Sequence, residues 1–315
     1  MIMNKIKIIF MGTPLFSVLP LEALIENYQV VAVVTQPDRK VGRHQEVIFS
    51  PVKKVALKHH IPVLQPHDIT VDYQTILDLN PDLIITCAYG QILPKELLFE
   101  PKYKCINIHA SLLPKLRGGA PIHRAIMEGH YQTGITIIQM TPKLDAGPII
   151  SQRSLAILET DNVGTLHNRL SQLAKELLLS TLPDFINNKI KLIKQKEREA
   201  TYAWNIKKGE ERINWDQAKR QIFNQVRGLN PWPVAYTTLD GNIIKIWEVV
   251  ISDRTYFNKV NGEIVKLYED GIGVKAYDGE LIIKKLQPAS KKMMAAQDYL
   301  NGIVAREKLI GRIFY

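Results

Sequence analysis

The chain contains little cysteine and no long apolar run, and both absences narrow the classes of protein to which it can belong. Only two cysteines occur in 315 residues, Cys87 and Cys105, and each lies inside an apolar run. Two such thiols argue against a disulfide framework or a cysteine-based zinc site, so we expect both to be reduced and buried. No apolar stretch approaches the roughly 20 residues that a membrane-spanning helix needs.

The N-terminal residues lack the features of a secretory signal. The apolar run at residues 1–10 is interrupted by Lys5 and Lys7 and leads directly into a Gly-Thr-Pro turn at residues 12–14. A signal peptide has a longer apolar segment followed by a small-residue cleavage site. We therefore expect a soluble protein of the cytoplasm.

Acidic residues are outnumbered, and the imbalance is uneven along the chain. The formal net charge is +10. Residues 191–315 contain 22 lysines and arginines against 15 acidic residues, whereas residues 1–190 contain 19 against 16. A positive surplus favours a polyanionic partner such as nucleic acid, although it also serves solubility. Its position predicts that chemistry and polyanion binding are partly divided between domains.

Short β-rich apolar runs alternate with helical stretches through the first half of the chain. Strands are predicted at residues 6–11, 30–35, 82–88, 105–109 and 134–140, and helices at 14–27, 120–128 and 162–187. Several of the strands are apolar nearly throughout, as expected when both faces are covered. This alternation predicts an α/β fold with a doubly wound, mostly parallel, Rossmann-like sheet.

The second half has a different pattern, and the length of the chain accommodates two domains. We predict a catalytic domain at residues 1–189, a basic linker at 190–207 and a C-terminal domain at 208–315. Strands predicted at 243–250, 262–268, 273–277 and 281–286 are separated in several places by Asp-Gly turns. Closely spaced short strands with such turns predict a small antiparallel β-barrel of the oligonucleotide-binding type.

A polar pair interrupts one of the predicted apolar strands. Asn107 and His109 are two residues apart near the carboxyl end of the strand, so both side chains project from the same face of the sheet. Open α/β sheets bind their ligands at that end. Polar groups buried in a strand are costly unless they have partners or a use. A satisfied core histidine beside a structural asparagine is the alternative interpretation, and the residues alone leave both open.

Asp145 is a third candidate. It lies in a loop that follows the strand predicted to end at Met140, so it too is expected at the carboxyl end of a strand. An amide donor, an imidazole and a carboxylate together can manage a tetrahedral acyl intermediate. No serine or cysteine nucleophile with a positioned base stands out, which favours direct transfer between two bound substrates. An ordinary turn aspartate is the alternative.

These residues carry a family resemblance. The run Asn107-Ile-His109-Ala-Ser111-Leu-Leu-Pro114, with Arg117-Gly118 after it, resembles the signature of the folate-dependent formyltransferases, and Asp145 falls where that family has its catalytic aspartate. Further segments resemble the family's methionyl-tRNA branch: FMGTP at 10–14, TQPDR at 35–39, AYGQILP at 88–94, NPWP at 230–233 and LQPA at 286–289. The resemblance covers essentially the whole chain, and the ordered series is specific.

The resemblance implies an enzyme of translation initiation. It would transfer the formyl group of 10-formyltetrahydrofolate to the α-amino group of methionyl initiator tRNA, with Asn107, His109 and Asp145 as the catalytic group. It requires no metal, and we expect a monomer that does not bind membranes. The residues implied to bind the folate are Tyr89, Gly90, Gln91, Ile92, Leu93, Ser111, Leu112, Leu113 and Pro114.

The segment at residues 36–51 resembles the family's inserted loop near the acceptor end of the tRNA. The resemblance implies tRNA contacts by Arg39, Lys40 and Arg43, of which Arg43 would be the main cation. Many relatives continue with lysines where this chain has His-Gln-Glu at residues 44–46. A solvated basic turn is the alternative interpretation of this loop.

Three other hypotheses are weighed against tRNA formylation. A folate-dependent formyltransferase acting on an amino sugar or another small amine would keep the same catalytic residues. A non-catalytic RNA-binding protein is disfavoured because Asn107, His109 and Asp145 are all present. A dinucleotide-dependent oxidoreductase is disfavoured because the Gly-Thr-Pro turn at residues 12–14 lacks the three-glycine pattern.

Overall fold

The computed structural model describes residues 6–41 and 46–315. The chain forms two compact units. The first consists of Met1–Pro121, Gln132–Ala156 and His167–Asn205, and the second of Ile122–Tyr131, Ile157–Leu166 and Ile206–Tyr315. Two short segments that precede residue 167 therefore belong to the second unit. The domain bounds 1–189, 190–207 and 208–315 stay a prediction.

The first unit contains a seven-stranded sheet and a separate two-stranded hairpin. Its strands are β1 (Lys7–Gly12), β2 (Gln29–Val34), β3 (Arg39–Val41), β4 (Glu46–Ile48), β5 (Val63–Leu64), β6 (Leu83–Cys87), β7 (Cys105–His109), β8 (Gln132–Gln139) and β9 (Ile149–Ala156). The order in the sheet is β5-β2-β1-β6-β7-β8-β9, and β3 pairs with β4. The first five strands of that order pair in parallel, whereas β8 is antiparallel to both neighbours. The sheet is mostly parallel, which confirms the predicted fold class.

The parallel strands form the core because they are covered on both faces. Four consecutive residues of β1, at positions 8–11, have no exposed surface, and neither have residues 83–85 of β6. Burial on both faces requires apolar side chains at every position rather than at alternate ones. This is the pattern by which the sequence predicted these strands.

Seven helices lie in the N-terminal part of the described chain. They are α1 (Val18–Asn27), α2 (Pro51–Lys58), α3 (Ile69–Asp72), α4 (Gln74–Leu77), α5 (Lys95–Phe99), α6 (Pro121–Met127) and α7 (Val163–Ile186). α2 begins where the Ser50 hydroxyl accepts the Lys53 amide at 3.0 Å and Pro51 fills the first turn. No helix among residues 6–41 and 46–315 is long and apolar enough to cross a membrane.

The second unit contains an antiparallel sheet. Its strands are β10 (Ala235–Leu239), β11 (Asn242–Ile251), β12 (Ile264–Tyr268), β13 (Gly271–Ala276), β14 (Gly279–Pro288) and β15 (Met294–Ala295), with helices α8 (Lys219–Gly228) and α9 (Ala296–Asn301). The order is β10-β11-β14-β13-β12, and β15 pairs with β14. All of these pairings are antiparallel, as predicted.

The C-terminal residues join the two edges of this sheet. Tyr315 exchanges backbone hydrogen bonds with Thr238 of β10 at 2.8 and 2.9 Å. At the other edge, Ile264 of β12 donates its amide to the Arg312 carbonyl at 2.8 Å, and Phe314 donates to the carbonyl of Gly262. Both edge strands therefore find partners in residues 312–315, which gives the sheet the closure expected of a barrel.

Candidate active site

Strand β7 carries two polar side chains in an otherwise apolar run. Asn107 is half-buried, and His109 is 5% exposed. The hydroxyl of Thr86 on the neighbouring β6 donates to Asn107 Oδ1 at 2.8 Å. Because the amide oxygen is occupied in this way, the NH2 group of Asn107 is directed to Asp145 Oδ1, 3.4 Å away.

The His109 ring is oriented by the backbone that follows it. Its Nε2 lies 2.9 Å from the carbonyl oxygen of Leu116. A carbonyl oxygen only accepts, so Nε2 carries a proton and the neutral ring has its lone pair on Nδ1. Nδ1 lies 3.6 Å from Asp145 Oδ2. The nitrogen beside the carboxylate is therefore the one that can gain a proton.

The Asp145 carboxylate lies close to both of the other candidate residues. Its carboxylate accepts the backbone amide of Gly118 at 2.8 Å, in addition to facing Asn107 and His109. The side chain is 13% exposed, and the backbone has a φ of +46°, in the left-handed region. The structure thus brings Asn107, His109 and Asp145 into one cluster, as the sequence predicted. Their individual catalytic roles stay a prediction.

The route by which Asp145 arrives differs from the expectation. Strand β8 is antiparallel to β7, with Gln139 opposite Ile106 and Thr136 opposite His109. The loop after β8 therefore starts beside the amino end of β7, not at the carboxyl edge of the parallel strands. The Asp145 carboxylate is held beside His109 by the Gly118 amide, and the chain then returns tightly against β8: a Cβ on Gly147 would lie 1.7 Å from the Gln139 carbonyl oxygen.

Three residues around the cluster, Arg117, Gln195 and Glu197, were assigned no role from the sequence. Arg117 has no exposed surface, and its guanidinium donates to the side chains of Gln195 and Glu197. Arg117 was named only as part of the family signature that follows β7, which was a usable signal. Gln195 lies in the segment predicted as a linker, where composition offered no signal.

The residues implied to bind folate divide into a buried and an accessible group. The buried ones, each at most 6% exposed, are Tyr89, Leu93, Ser111 and Leu113. Gly90 is exposed, Ile92 is 79% exposed, and Gln91, Leu112 and Pro114 are half-buried. Contact with a ligand in this region is therefore open to the side chains of Gln91, Ile92, Leu112 and Pro114 and to the backbone of Gly90. The folate assignment itself stays a prediction.

Hydrogen bonds fix the backbone of both predicted folate segments. The Tyr89 carbonyl accepts from the hydroxyl of Thr13 and the side-chain amide of Gln36, each at 3.1 Å. The Ser111 hydroxyl donates to the Lys115 carbonyl at 2.6 Å and so closes its own turn. Burial raises the pKa of the Tyr89 phenol to about 12. Its hydroxyl has no hydrogen-bond partner among the described residues.

The predicted tRNA loop contains the β3–β4 hairpin. Arg39 is exposed and pairs with Ile48, and Lys40 pairs with Val47. Arg43 lies outside the described residues. At the base of the hairpin, Lys53 binds Asp38 at 2.5 Å, and this contact holds the pKa of the Asp38 carboxyl below its usual value.

Both cysteines are free and fully buried, as expected. Burial raises the pKa of the Cys87 thiol to about 12 and that of Cys105 further still. Neither sulfur is therefore available as a thiolate nucleophile near neutral pH.

Comparison with known protein families decides the affiliation of this fold and cluster. The formyl transferase family matches residues 4–182, and the formyl transferase C-terminal domain family matches residues 205–304. The chain belongs to the formyl transferase family. The matched regions include Asn107, His109 and Asp145 and most of the antiparallel sheet.

Two similar curated proteins carry the same name. The chain is 52% identical over 301 residues to the methionyl-tRNA formyltransferase of Bacillus velezensis, covering 94% of each protein. It is 50% identical over 311 residues to the methionyl-tRNA formyltransferase of Staphylococcus aureus strain MW2, covering 97% of this chain and 98% of that protein.

Solved structures share the fold at low identity. An N-formyltransferase from Helicobacter canadensis, solved with folinic acid and dTDP-3-aminofucose, is 20% identical with a TM-score of 0.64, over 90% of this chain and 99% of that one. HypX from Aquifex aeolicus is 18% identical with a TM-score of 0.65 over 96% of this chain. The chain spans about half the length of HypX.

Proposed function

We propose that this protein transfers the formyl group of 10-formyltetrahydrofolate to the α-amino group of methionine esterified to initiator tRNA. The observation that carries the proposal is the cluster at the end of β7, where both Asn107 and His109 lie within 3.6 Å of the Asp145 carboxylate. Two relatives at least 50% identical over nearly their full length, both named methionyl-tRNA formyltransferase, support the choice of acceptor. The reaction belongs to translation initiation, and we place it in the cytoplasm.

The reaction forms a bond between the methionyl nitrogen and the formyl carbon and breaks the bond from that carbon to N10 of the folate. Attack by the amine turns the formyl oxygen into an oxyanion, which the NH2 group of Asn107 stabilises. Nδ1 of His109 accepts the proton that the attacking nitrogen loses. The Asp145 carboxylate, 3.6 Å away, stabilises the imidazolium. The same proton then passes to N10 as tetrahydrofolate leaves.

Direct transfer suits the residues around the cluster. Both cysteines are buried with raised thiol pKa values, so neither serves as a covalent carrier of the formyl group. The rate gain comes from holding the amine and the formyl carbon together in the correct orientation. The exposed side chain of Ile92 suits the aromatic part of a folate, and the exposed backbone of Gly90 suits its hydrogen-bonding edge.

Binding of tRNA is assigned to positive charge on both units. In the first unit, Arg39 projects from the β3–β4 hairpin. In the second, residues 206–315 contain 18 lysines and arginines against 13 acidic residues, and this surplus is available to phosphates. A dTDP-linked amino sugar, such as the one bound by the Helicobacter canadensis relative, carries only the charge of its diphosphate, so it would use far less of this surplus than a tRNA.

The test is formyl transfer from 10-formyltetrahydrofolate to three acceptors: methionine-charged initiator tRNA, methionine-charged elongator tRNA and free methionine. We expect strong preference for the charged initiator. Turnover only with an amino sugar or another small amine would retain the catalytic cluster but reject the acceptor. The absence of turnover with every acceptor would reject the enzymatic function.

A further inference from the structure

A fully buried arginine, Arg117, directly precedes Gly118, the residue whose amide binds the Asp145 carboxylate. The guanidinium of Arg117 has no exposed surface, and a buried charge is strongly destabilising unless it is paired. Its Nε and Nη2 lie 3.2 and 2.9 Å from Gln195 Oε1, and its Nη1 lies 3.1 Å from Glu197 Oε2. Arg117 therefore fixes which end of the Gln195 carboxamide faces it, because a guanidinium only donates hydrogen bonds.

The other end of the Gln195 carboxamide faces the loop at residues 141–148, here called the Asp145 loop. Its Nε2 donates to the carbonyl of Asp145 at 2.8 Å and to the carbonyl of Gly147 at 2.7 Å. Both hydrogens of the NH2 group are thus used on two carbonyls that flank one turn. Gln195 is 7% exposed, so water does not readily replace these bonds.

The Asp145 loop needs to be held from outside. A φ of +46° is unfavourable for a residue with a Cβ, so the surroundings must stabilise this conformation. A second tie links the same loop to the same segment: Lys143 Nζ lies 2.5 Å from Glu197 Oε1. Both of those side chains are more than half exposed, so this contact is weaker than the buried bonds of Gln195.

We infer that Gln195 is a positioning residue for the proposed reaction: its two donated hydrogen bonds hold Asp145 in the left-handed conformation that directs the carboxylate to Gly118, Asn107 and His109. The inference rests on the proposed function of the cluster. It adds a residue from the segment that composition predicted as a linker. Arg117 acts one step further away, by orienting Gln195.

The test substitution is Gln195→Glu. The carboxylate keeps the length of the side chain and still accepts from Arg117, but it has no hydrogen to donate to the loop carbonyls. A second variant, Gln195→Met, removes the donors without adding a charge. For both we expect kcat to fall at least tenfold while KM for the folate and for charged tRNA stays within twofold. Backbone amide exchange should become faster in residues 141–148 and at Gly118, and not elsewhere.

The matched control is Gln225→Glu. Gln225 Nε2 also donates to two backbone carbonyls, those of Glu210 and Arg212, at 2.9 and 3.0 Å. This variant loses the same kind of bonds, and we expect its kcat to stay within twofold of the wild type. The inference is overturned if both Gln195 variants keep wild-type kcat, or if the Gln225 variant loses activity to the same extent. Amide hydrogen exchange at residues 141–148 measures the order of the Asp145 loop without any substrate. A failure of this inference can therefore be distinguished from a failure of the proposed function.

Discussion

The hydroxyl of Thr86 lies 2.8 Å from Oδ1 of Asn107, and this contact determines which end of the Asn107 amide faces the cluster. The amide could otherwise turn about its last torsion angle, which has two broad and nearly equivalent positions. The donor expected to stabilise the oxyanion is therefore fixed by a residue of the adjacent strand, β6.

Replacing Thr86 with valine tests this orientation. The substitution keeps the branched shape and removes the hydroxyl, so the Asn107 amide loses a hydrogen bond with a net value of about 1 kcal/mol. We expect kcat to fall by roughly three- to tenfold with little change in KM. The matched control is Thr133→Val, because the buried Thr133 hydroxyl has no partner within the described parts of the chain. Equal effects of the two variants would contradict the proposed orientation.

His109 is expected to be the proton carrier. His109→Ala removes the only imidazole of the cluster among the described residues, and loss of a general base costs about 10²- to 10⁴-fold in rate. We expect kcat to fall by that amount while tRNA affinity, measured by filter binding, stays within twofold. His130→Ala is the control, since His130 pairs with Glu128 at 3.1 Å on the surface of the second unit. Near-normal turnover of His109→Ala would remove it from the mechanism.

Arg39 is expected to contact phosphate. A cation that neutralises a phosphate releases counterions, so Arg39→Gln should reduce the slope of log affinity against log salt by about 1. The measurement is the binding of labelled tRNA at several salt concentrations. The control is Lys102→Gln, which removes the same charge. Lys102 is exposed and precedes the amino end of β7. If both variants change the slope equally, the effect is one of net charge alone.

The sequence predicted four of the five parallel strands, β1, β2, β6 and β7, because burial on both faces requires continuous apolar runs; the two-residue β5 was not predicted. β7 was predicted with its observed bounds, since Lys104 and the Ser111 turn delimit a short apolar run. Asn107 and His109 were expected on the same face of the sheet because they are two residues apart in a strand. The approach of Asp145 was expected from its place in the loop after a predicted strand and from the family resemblance. Its actual route depends on an antiparallel β8 that no local pattern indicates.

Other features depend on contacts distant in sequence. The pairing of Tyr315 with Thr238 spans 77 residues, and nothing in the last four residues marks them as a sheet partner. Gln195 is a single polar residue among lysines and glutamates, so composition predicted a linker there. Its burial is decided by Arg117, 78 residues away, whose charge needs partners.

An ion pair in the second unit should make the stability of that unit depend on pH. Arg124 donates to both carboxylate oxygens of Glu210, at 2.6 and 3.1 Å, with side chains 17% and 31% exposed. These hydrogen bonds lower the pKa of the Glu210 carboxyl below its ordinary value of 4.5. A carboxyl with a lowered pKa in the folded state contributes stability that is full above pH 4.5 and disappears as pH falls through the lowered value.

Arg124→Met measures that contribution. Above pH 5 we expect the variant to unfold more readily than the wild type, by about 1 kcal/mol in the free energy of unfolding. The difference should shrink as the pH falls below 4.5, because protonation of Glu210 removes the interaction from the wild type as well. The control is Arg220→Met, whose partner Glu159 lies at the same 2.6 Å but with side chains 53% and 69% exposed. Solvent screens that pair, so its removal should change stability little at any pH. A difference for Arg124→Met that stays constant from pH 7 to pH 3 would show that lost packing, and not the charge on Glu210, is the cause.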